Sequence, residues 1–208
     1  MSNPFRILLV GATGTLGRAI ATELGERHKI IFAGRTNADV ILDISDAESV
    51  GIALHKAGEL DAVVCAAGEV AFAPLADFRP APLGDSLYTL GLKNKLLGQV
   101  NLALAARDVL SDRGSITLIS GILGQQPIAA GTSASMVNGA LESFTRAAAI
   151  EMPRGIRINC VSPTVLTESM SKFAPYFRGF QPVPAARAAL AFSRSVEGLE
   201  TGQVYRVY

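Results

Sequence analysis

The chain has 208 residues, of which 49% are hydrophobic and 18% are charged, and its formal net charge at pH 7 is +1. A net charge so close to zero, without a lysine- or arginine-rich run, argues against a nucleic-acid-binding protein. The N-terminal apolar run is too short for a signal peptide, and no later run approaches the about 18 apolar residues of a membrane helix. We therefore expect a single domain over residues 1–208 that is soluble, cytoplasmic and large enough to bury a substantial core.

Short apolar runs alternate with helical patterns along the chain. Strands are predicted at residues 5–10, 29–33, 39–42, 61–65, 114–120, 156–161 and 203–207, and helices at 15–27, 46–56, 86–110, 133–151 and 185–194. This alternation predicts an α/β fold, namely a Rossmann-like doubly wound parallel sheet of about seven strands with helices on both faces. Only residues 34–38 separate the second and third strands, which is too few for a crossover helix. We therefore expect the third strand to be a short edge piece reached by a tight loop.

A glycine-rich loop, Val10 to Gly17, lies between the first strand and the first helix. Gly11 can adopt backbone angles that a side chain forbids, Gly14 leaves room for a pyrophosphate, and Gly17 lets the helix lie close to the strand. The free N–H groups at the helix start would then face the phosphates. The spacing is G-x-x-G-x-x-G, so an ordinary strand-to-helix turn is the alternative. The loop predicts a dinucleotide site that contains Gly11, Thr13, Gly14, Thr15, Leu16 and Gly17.

Other residues follow predicted strands at the carboxyl edge of the sheet, where ligands of such folds bind. Arg35 can hold the 2′-phosphate of NADP, with a solvated surface arginine as the alternative. Asp43 could cap a helix, close a turn or accept the adenine amino group. Ser120 either ends its strand or lies where a substrate carbonyl would lie. The remaining cofactor candidates at this edge are Thr36, Ile44, Ala66, Ala67, Gly68, Pro163 and Thr167.

Several segments occur in an order that is typical of one family. They are the loop 10–17, Ala66-Ala67-Gly68, Ile119-Ser120, the helix segment 138–144, the segment 155–163 and the last strand, 201–204. Together they resemble a short-chain dehydrogenase/reductase over almost the full length. The resemblance implies hydride transfer to or from a carbonyl or alcohol and a nicotinamide cofactor. Arg35 favours NADP over NAD, and the resemblance places Thr167 near the nicotinamide carboxamide.

The catalytic residues of that family are only partly matched. The family places a substrate-positioning serine on strand five, which Ser120 matches. It also places a proton-relaying tyrosine and a lysine four residues apart on the following helix. The tyrosine position falls on Thr132 or Ala134, depending on the alignment gap. The lysine position falls on Met136 or Asn138, so neither placement restores the pair.

Other side chains could replace the missing pair. The family's asparagine on the preceding helix aligns with Asn94 or Lys95. Lys93 and Lys95 would by default be solvated, yet either could approach the nicotinamide, as could Tyr88 or Tyr176 from loops. We therefore predict a non-standard catalytic set that consists of Ser120, Lys95 and Asn138.

Two functions fit these features. The first is an NADP-dependent oxidoreductase with a rearranged catalytic set, and the second is a catalytically silent NADP-binding sensor or partner-binding protein. An intact Ser120 favours the enzyme, because a sensor has no obvious use for it. The aromatic residues Phe173, Tyr176, Phe177 and Phe180 could form an apolar lid, or they could serve packing or a subunit contact.

The remaining expectations concern thiols, metals and assembly. Cys65 and Cys160 lie in predicted buried strands and are interpreted as reduced core thiols. His28 and His55 have no companion ligands, so no metal site is expected. Family members often pair through the two long helices, here residues 86–110 and 133–151. We therefore expect a homodimer or homotetramer that acts on a small-molecule substrate.

Overall fold

A computed structural model describes residues 3–208 and shows one parallel sheet of seven strands. The order across the sheet is β3-β2-β1-β4-β5-β6-β7, which confirms the doubly wound prediction. The strand order reverses between β1 and β4, so the crevice of the fold opens beside the glycine loop. The strands are β1 (Arg6–Val10), β2 (Lys29–Gly34), β3 (Val40–Ile41), β4 (Leu60–Cys65), β5 (Leu110–Ile119), β6 (Arg157–Pro163) and β7 (Val204–Val207).

Helices cover both faces of the sheet. They are α1 (Thr15–Gly25), α2 (Ala47–Ala57), α3 (Leu87–Gly91), α4 (Gly98–Val109), α5 (Thr132–Glu151), α6 (Met170–Phe173) and α7 (Ala185–Glu197). In β1, Leu8 and Val10 pack under α2, α4 and α5, whereas Ile7 and Leu9 pack under α1 and α7. Successive residues of a strand face opposite sides. The continuous apolar run of β1 therefore contributes side chains to both hydrophobic cores, one on each face of the sheet.

The third strand is the short edge piece that the sequence predicts. Its two residues pair in parallel with Ala33 and Gly34 of β2. The carboxylate of Asp39 accepts the N–H of Phe32 at 2.9 Å, so a side chain replaces part of the missing backbone ladder. This hydrogen bond holds the tight loop 35–39 against the sheet without a helix.

The long helix predicted over residues 86–110 is not one α-helix. Ser86 caps α3 through a capping box with Thr89, and Leu92–Leu97 then form a π-helical segment before α4 begins. Leu110 pairs with Leu60 and starts β5, so the helix ends one residue earlier than predicted. Apolar periodicity covers all three helical segments, and for this reason it does not mark the break.

Candidate active site

Two adjoining clefts lie at the carboxyl edge of the sheet, and Gly68 lines both. The first has a volume of about 260 Å³ and the second about 300 Å³. Polar and charged side chains line the outer part of the first cleft, whereas the second has largely apolar walls. Ten of the predicted cofactor residues line the first cleft, namely Gly11, Thr13, Gly14, Arg35, Thr36, Asp43, Ile44, Ala66, Ala67 and Gly68.

The glycine loop has the geometry that phosphate binding requires. Gly11 has a φ of +84°, which L side chains rarely adopt. A Cβ on Gly17 would lie 2.1 Å from the Gly11 oxygen, so only glycine lets α1 approach β1 this closely. Gly14 is the N-cap of α1, and within residues 3–208 no side chain caps this helix. Its first N–H groups are therefore available to an anion at the cleft.

Three of the predicted loop residues contribute to α1 and do not line the first cleft. Thr15, Leu16 and Gly17 form the first turn of the helix. Leu16 packs against the core under α1 and α7, and Gly17 is buried. Their contribution to a phosphate would therefore come from backbone N–H groups and from the position of the helix.

Arg35 and Asp43 lie at the outer end of the first cleft. The Arg35 side chain is 68% exposed, and its Nη2 lies 3.4 Å from Oε1 of Glu69. An exposed ion pair of this kind contributes little and can be exchanged for a stronger anion. The Asp43 carboxylate accepts both the N–H and the hydroxyl of Ser45, which favours the turn interpretation. These hydrogen bonds, followed by the charges of Arg35 and Lys93, lower the pKa of Asp43.

Two polar residues of the first cleft were not among the predicted cofactor residues. Glu69 and Asn94 both line it, and the Asn94 Oδ1 accepts the Glu69 N–H at 2.7 Å. Glu69 directly follows Gly68, so its place after β4 was a usable signal. Asn94 was considered only as one of two alignment positions of the family's asparagine, because the direction of its side chain depends on the π-helical segment.

Two predicted residues, Pro163 at the end of β6 and Thr167 beyond it, lie in different surroundings. Pro163 lines the second cleft, whereas Thr167 is exposed in a 3₁₀ turn and lines neither cleft. Thr164 instead lines the second cleft, is 4% exposed, and has a hydroxyl without a hydrogen-bond partner among residues 3–208. The role of Thr167 at the carboxamide stays a prediction.

The three predicted catalytic residues meet at the floor of the second cleft. Lys95 Nζ donates to the Ser120 backbone oxygen at 2.9 Å and to Asn138 Oδ1 at 2.8 Å. Lys95 is only 8% exposed, so the default expectation of a solvated lysine was wrong. A Cβ on Gly68 would lie 2.5 Å from Lys95 Cγ, and the glycine thus leaves room for the lysine stem.

Burial changes the acidity of this lysine. It lowers the Lys95 pKa from 10.5 to about 8, because an ammonium ion loses hydration in the protein interior. Cys65 and Cys160, both free and buried as predicted, lie near enough to oppose this shift. Burial in turn raises their own pKa values to about 12 and about 11. Lys95 is therefore mostly protonated at neutral pH but close to its titration range.

A buried carboxylate behind Ser120 was also missed. Ser120 is 4% exposed, and its hydroxyl donates to Oε1 of Glu142 at 3.2 Å. Glu142 is 3% exposed and lies one turn after Asn138 on α5. The spacing of four residues was a signal that both side chains share a helix face.

Aromatic rings form much of the wall of the second cleft. Phe72, Phe173 and Phe177 line it, with ring centroids 5.5 Å apart between Phe72 and Phe173 and 6.4 Å apart between Phe173 and Phe177. Tyr176 and Phe180 extend this cluster outside the lining. The aromatic residues therefore pack on one another and three of them line the cleft, whereas the lid and the subunit contact stay predictions.

A family model described as enoyl-(acyl carrier protein) reductase matches residues 9–205, nearly the whole chain. The chain belongs to the short-chain dehydrogenase/reductase family. The solved structure of the protein lin1944 from Listeria innocua is 47% identical, with a TM-score of 0.94, and the match covers 98% of this chain and 100% of that one.

Two curated relatives are more distant. Human dehydrogenase/reductase SDR family member 2, mitochondrial, is 26% identical over 190 residues, which cover 79% of this chain and 66% of the human protein. L-xylulose reductase from Mesocricetus auratus is 27% identical over 185 residues, which cover 80% of this chain and 74% of that protein. The chain thus spans about two thirds to three quarters of the curated relatives it matches.

Two further observations concern the described part of the chain. Between residues 3 and 208, no helix is both long and apolar enough to cross a membrane. Within the same range, His, Cys, Asp and Glu side chains form no group of three or more that could hold a metal ion.

Proposed function

We propose that the chain is an NADP-dependent oxidoreductase that transfers a hydride between the cofactor and a small carbonyl or alcohol substrate. The observation that carries this proposal is the amine of Lys95, held by Ser120 and Asn138 at the floor of an apolar cleft. Gly68 joins this cleft to the one lined by the glycine loop. A dinucleotide in the first cleft would therefore end beside the amine.

The chain's own groups fit a dinucleotide phosphate and favour NADP. The uncapped start of α1 offers N–H groups to a pyrophosphate, and Gly11 and Gly17 permit the close approach. Arg35 stands at the outer end of the cleft, where its guanidinium can hold a 2′-phosphate in place of Glu69. When bound, the cofactor supplies or removes the hydride.

The described α5 contains neither tyrosine nor lysine, so the proton must come from another group. An ammonium group has three N–H donors, and Lys95 uses two of them on Ser120 and Asn138. The third is left for a substrate oxygen in the cleft that Lys95 lines. During reduction, Lys95 gives a proton to the oxygen on which negative charge develops, and during alcohol oxidation the neutral amine takes it back. Asn138 orients the amine, and the apolar walls exclude water.

The cofactor can be tested by titrating the purified protein with NADPH and with NADH while following nicotinamide fluorescence. We expect tighter binding of NADPH, and we expect Arg35→Ala to weaken NADPH binding about tenfold or more, the cost of a lost charge-assisted contact. NADH binding should not change. Arg206→Ala is the matched control, because Arg206 is exposed on β7 and lines neither cleft. Equal affinity for the two cofactors would remove the NADP assignment.

Turnover is tested with NADPH and a panel of quinones, aldehydes and ketones, followed by the loss of nicotinamide absorbance. Oxidation of NADPH with at least one carbonyl class is the expected result. Tight NADPH binding without turnover on any of them would favour the silent sensor instead. If neither cofactor bound, both functions would be excluded.

A further inference from the structure

We propose that Glu142 is a positioning residue that makes Ser120 a hydrogen-bond acceptor, so that the second cleft selects a hydroxyl over a carbonyl at the reacting oxygen. The inference rests on the proposed function, because it assumes that the reacting oxygen lies at Lys95 and Ser120. It assigns a role to a buried carboxylate that lines neither cleft.

Glu142 lies between the floor of the second cleft and the surface. Its Oε1 accepts the hydroxyls of Ser120 at 3.2 Å and of Ser162 at 3.1 Å. Its Oε2 faces Gln125 Nε2 at 3.0 Å and Arg146 Nη2 at 3.5 Å. In all four contacts the carboxylate oxygens accept and the neighbouring side chains donate.

The single hydroxyl proton of Ser120 is therefore committed to Glu142. The other partners of this hydroxyl are weaker: the Val161 oxygen lies at 3.5 Å and already accepts the Ser120 N–H at 2.9 Å, and the buried Cys160 thiol, which also hydrogen-bonds to Ser120, is a weak acceptor. Ser120 Oγ then offers lone pairs to the cleft, whereas the protonated Lys95 offers an N–H. A hydroxyl satisfies both, because its oxygen accepts from Lys95 while its proton goes to Ser120. A carbonyl oxygen can accept a hydrogen bond from Lys95, but it has no proton to donate to Ser120. The lone pairs of the carbonyl oxygen and of Ser120 Oγ therefore face each other without a hydrogen bond, which is unfavourable.

The variant Glu142→Gln should reverse this arrangement at nearly constant volume. An amide has one acceptor end and one donor end. Arg146 cannot accept a hydrogen bond, so the amide oxygen must face Arg146 and the amide NH₂ must face the two serines. Ser120 then accepts from the amide that replaces the carboxylate and can turn its own proton into the cleft. The variant thus converts Ser120 from an acceptor to a donor.

Binding of cyclohexanol and cyclohexanone, measured by calorimetry at pH 7, tests the proposal. The alcohol is titrated with NADPH present and the ketone with NADP⁺ present, since neither mixture can exchange a hydride. We expect the native protein to favour the alcohol, and we expect Glu142→Gln to shift the alcohol-to-ketone affinity ratio about tenfold toward the ketone. The variant should also reduce cyclohexanone faster than the native protein, a gain that structural damage does not produce.

Two further variants test whether Glu142 acts through Ser120. Ser120→Ala should weaken alcohol binding and should leave ketone binding unchanged or make it tighter, because it removes the lone pairs that face the ketone oxygen. This test does not depend on whether Glu142→Gln folds. In the Ser120→Ala background, Glu142→Gln should no longer change the ratio. An unchanged ratio in Glu142→Gln, or loss of ketone binding in Ser120→Ala, would overturn the inference while the proposed function stands. If neither probe bound any form of the protein, the inference would also be overturned, whereas the proposed function would still be decided by turnover on the carbonyl panel.

Discussion

At the scale of single residues, the chemistry of the second cleft depends on where Lys95 is placed. Its Nζ lies between two oxygens, one from Ser120 directly after β5 and one from Asn138 on α5, and burial lowers its pKa to about 8. An acid with a pKa close to the working pH is both sufficiently populated and sufficiently strong to transfer a proton. A lysine in solution, with a pKa of about 10.4, would hold its proton too firmly.

The pH dependence of turnover follows from this pKa. In the proposed mechanism reduction needs protonated Lys95, so kcat/KM for a ketone should be constant at low pH and fall about tenfold per pH unit above pH 8. Oxidation needs the neutral amine, so kcat/KM for an alcohol should rise up to about pH 8 and then level off. Stopped-flow measurements with both substrates between about pH 6 and pH 10 provide the test.

Substitution of Lys95 should separate its role from that of the nearby Lys93. Lys95→Met should lower the reduction rate by about 10²–10⁴-fold, the usual contribution of a general acid, and should remove the ionisation near pH 8. Lys93→Met is the matched control, because Lys93 is exposed and lines neither cleft. Equal activity of native protein and Lys95→Met would clear Lys95 of a catalytic role.

At the scale of elements, the contact between α1 and β1 sets the shape of the glycine loop. A Cβ on Gly17 would meet backbone atoms of Gly11 and Ala12 at 2.1 to 2.8 Å, and backbone atoms cannot move aside as a side chain can. Gly51 in α2 is the opposite case, since a Cβ there would meet nothing within 4 Å.

These two glycines give a matched pair of substitutions. Gly17→Ala should destabilise the fold by about 1–3 kcal/mol and weaken NADPH binding, because α1 must shift away from the loop. Gly51→Ala should stabilise the fold by about 0.5–1 kcal/mol and leave cofactor binding unchanged. Urea unfolding of each variant, with NADPH titration alongside, distinguishes the two. Similar stability changes at both positions would contradict the close packing of α1.

The sequence predicted elements well where burial alone defines them. The strands of the sheet are continuous apolar runs, so β1 and β4 were predicted to within one residue. The break in residues 86–110 was not predictable, since hydrophobic periodicity does not register one extra residue in a helix turn. The position of Lys95 depends on that break, and its burial could therefore not be inferred. The network of Glu142 likewise depends on contacts of α5 with Ser120, directly after β5, and with β6, which only the folded chain brings together.

At the scale of the whole molecule, both clefts lie at the carboxyl edge of the sheet. The helices that bring Lys95 and Asn138 to this edge also expose apolar side chains elsewhere. Leu97, Leu104, Met136 and Ile150 are 40%, 42%, 42% and 86% exposed. All four lie within residues 86–110 and 133–151, which the family resemblance indicates as a subunit contact. A homo-oligomer through these helices stays a prediction.

Sedimentation velocity tests that assembly. The native protein should sediment as a dimer or tetramer, and Leu104→Glu or Ile150→Glu should shift it toward the monomer, because a buried charge without a partner is costly. Leu199→Glu is the control, since Leu199 is 93% exposed but lies outside both helices. A native protein that sediments as a monomer would refute the proposed assembly.

Which side chain lies at the floor of the second cleft depends on the number of residues in the π-helical segment Leu92–Leu97. Its i→i+5 hydrogen bonds hold one residue more than an α-helical turn does. Helix α4 cannot shift along its axis to compensate for that residue. Any other residue at the position of Gly98 would bring a Cβ to 2.7 Å from the Ile44 oxygen. Gain or loss of one residue in this segment would therefore change which side chain lines the second cleft, while the flanking helices keep their positions.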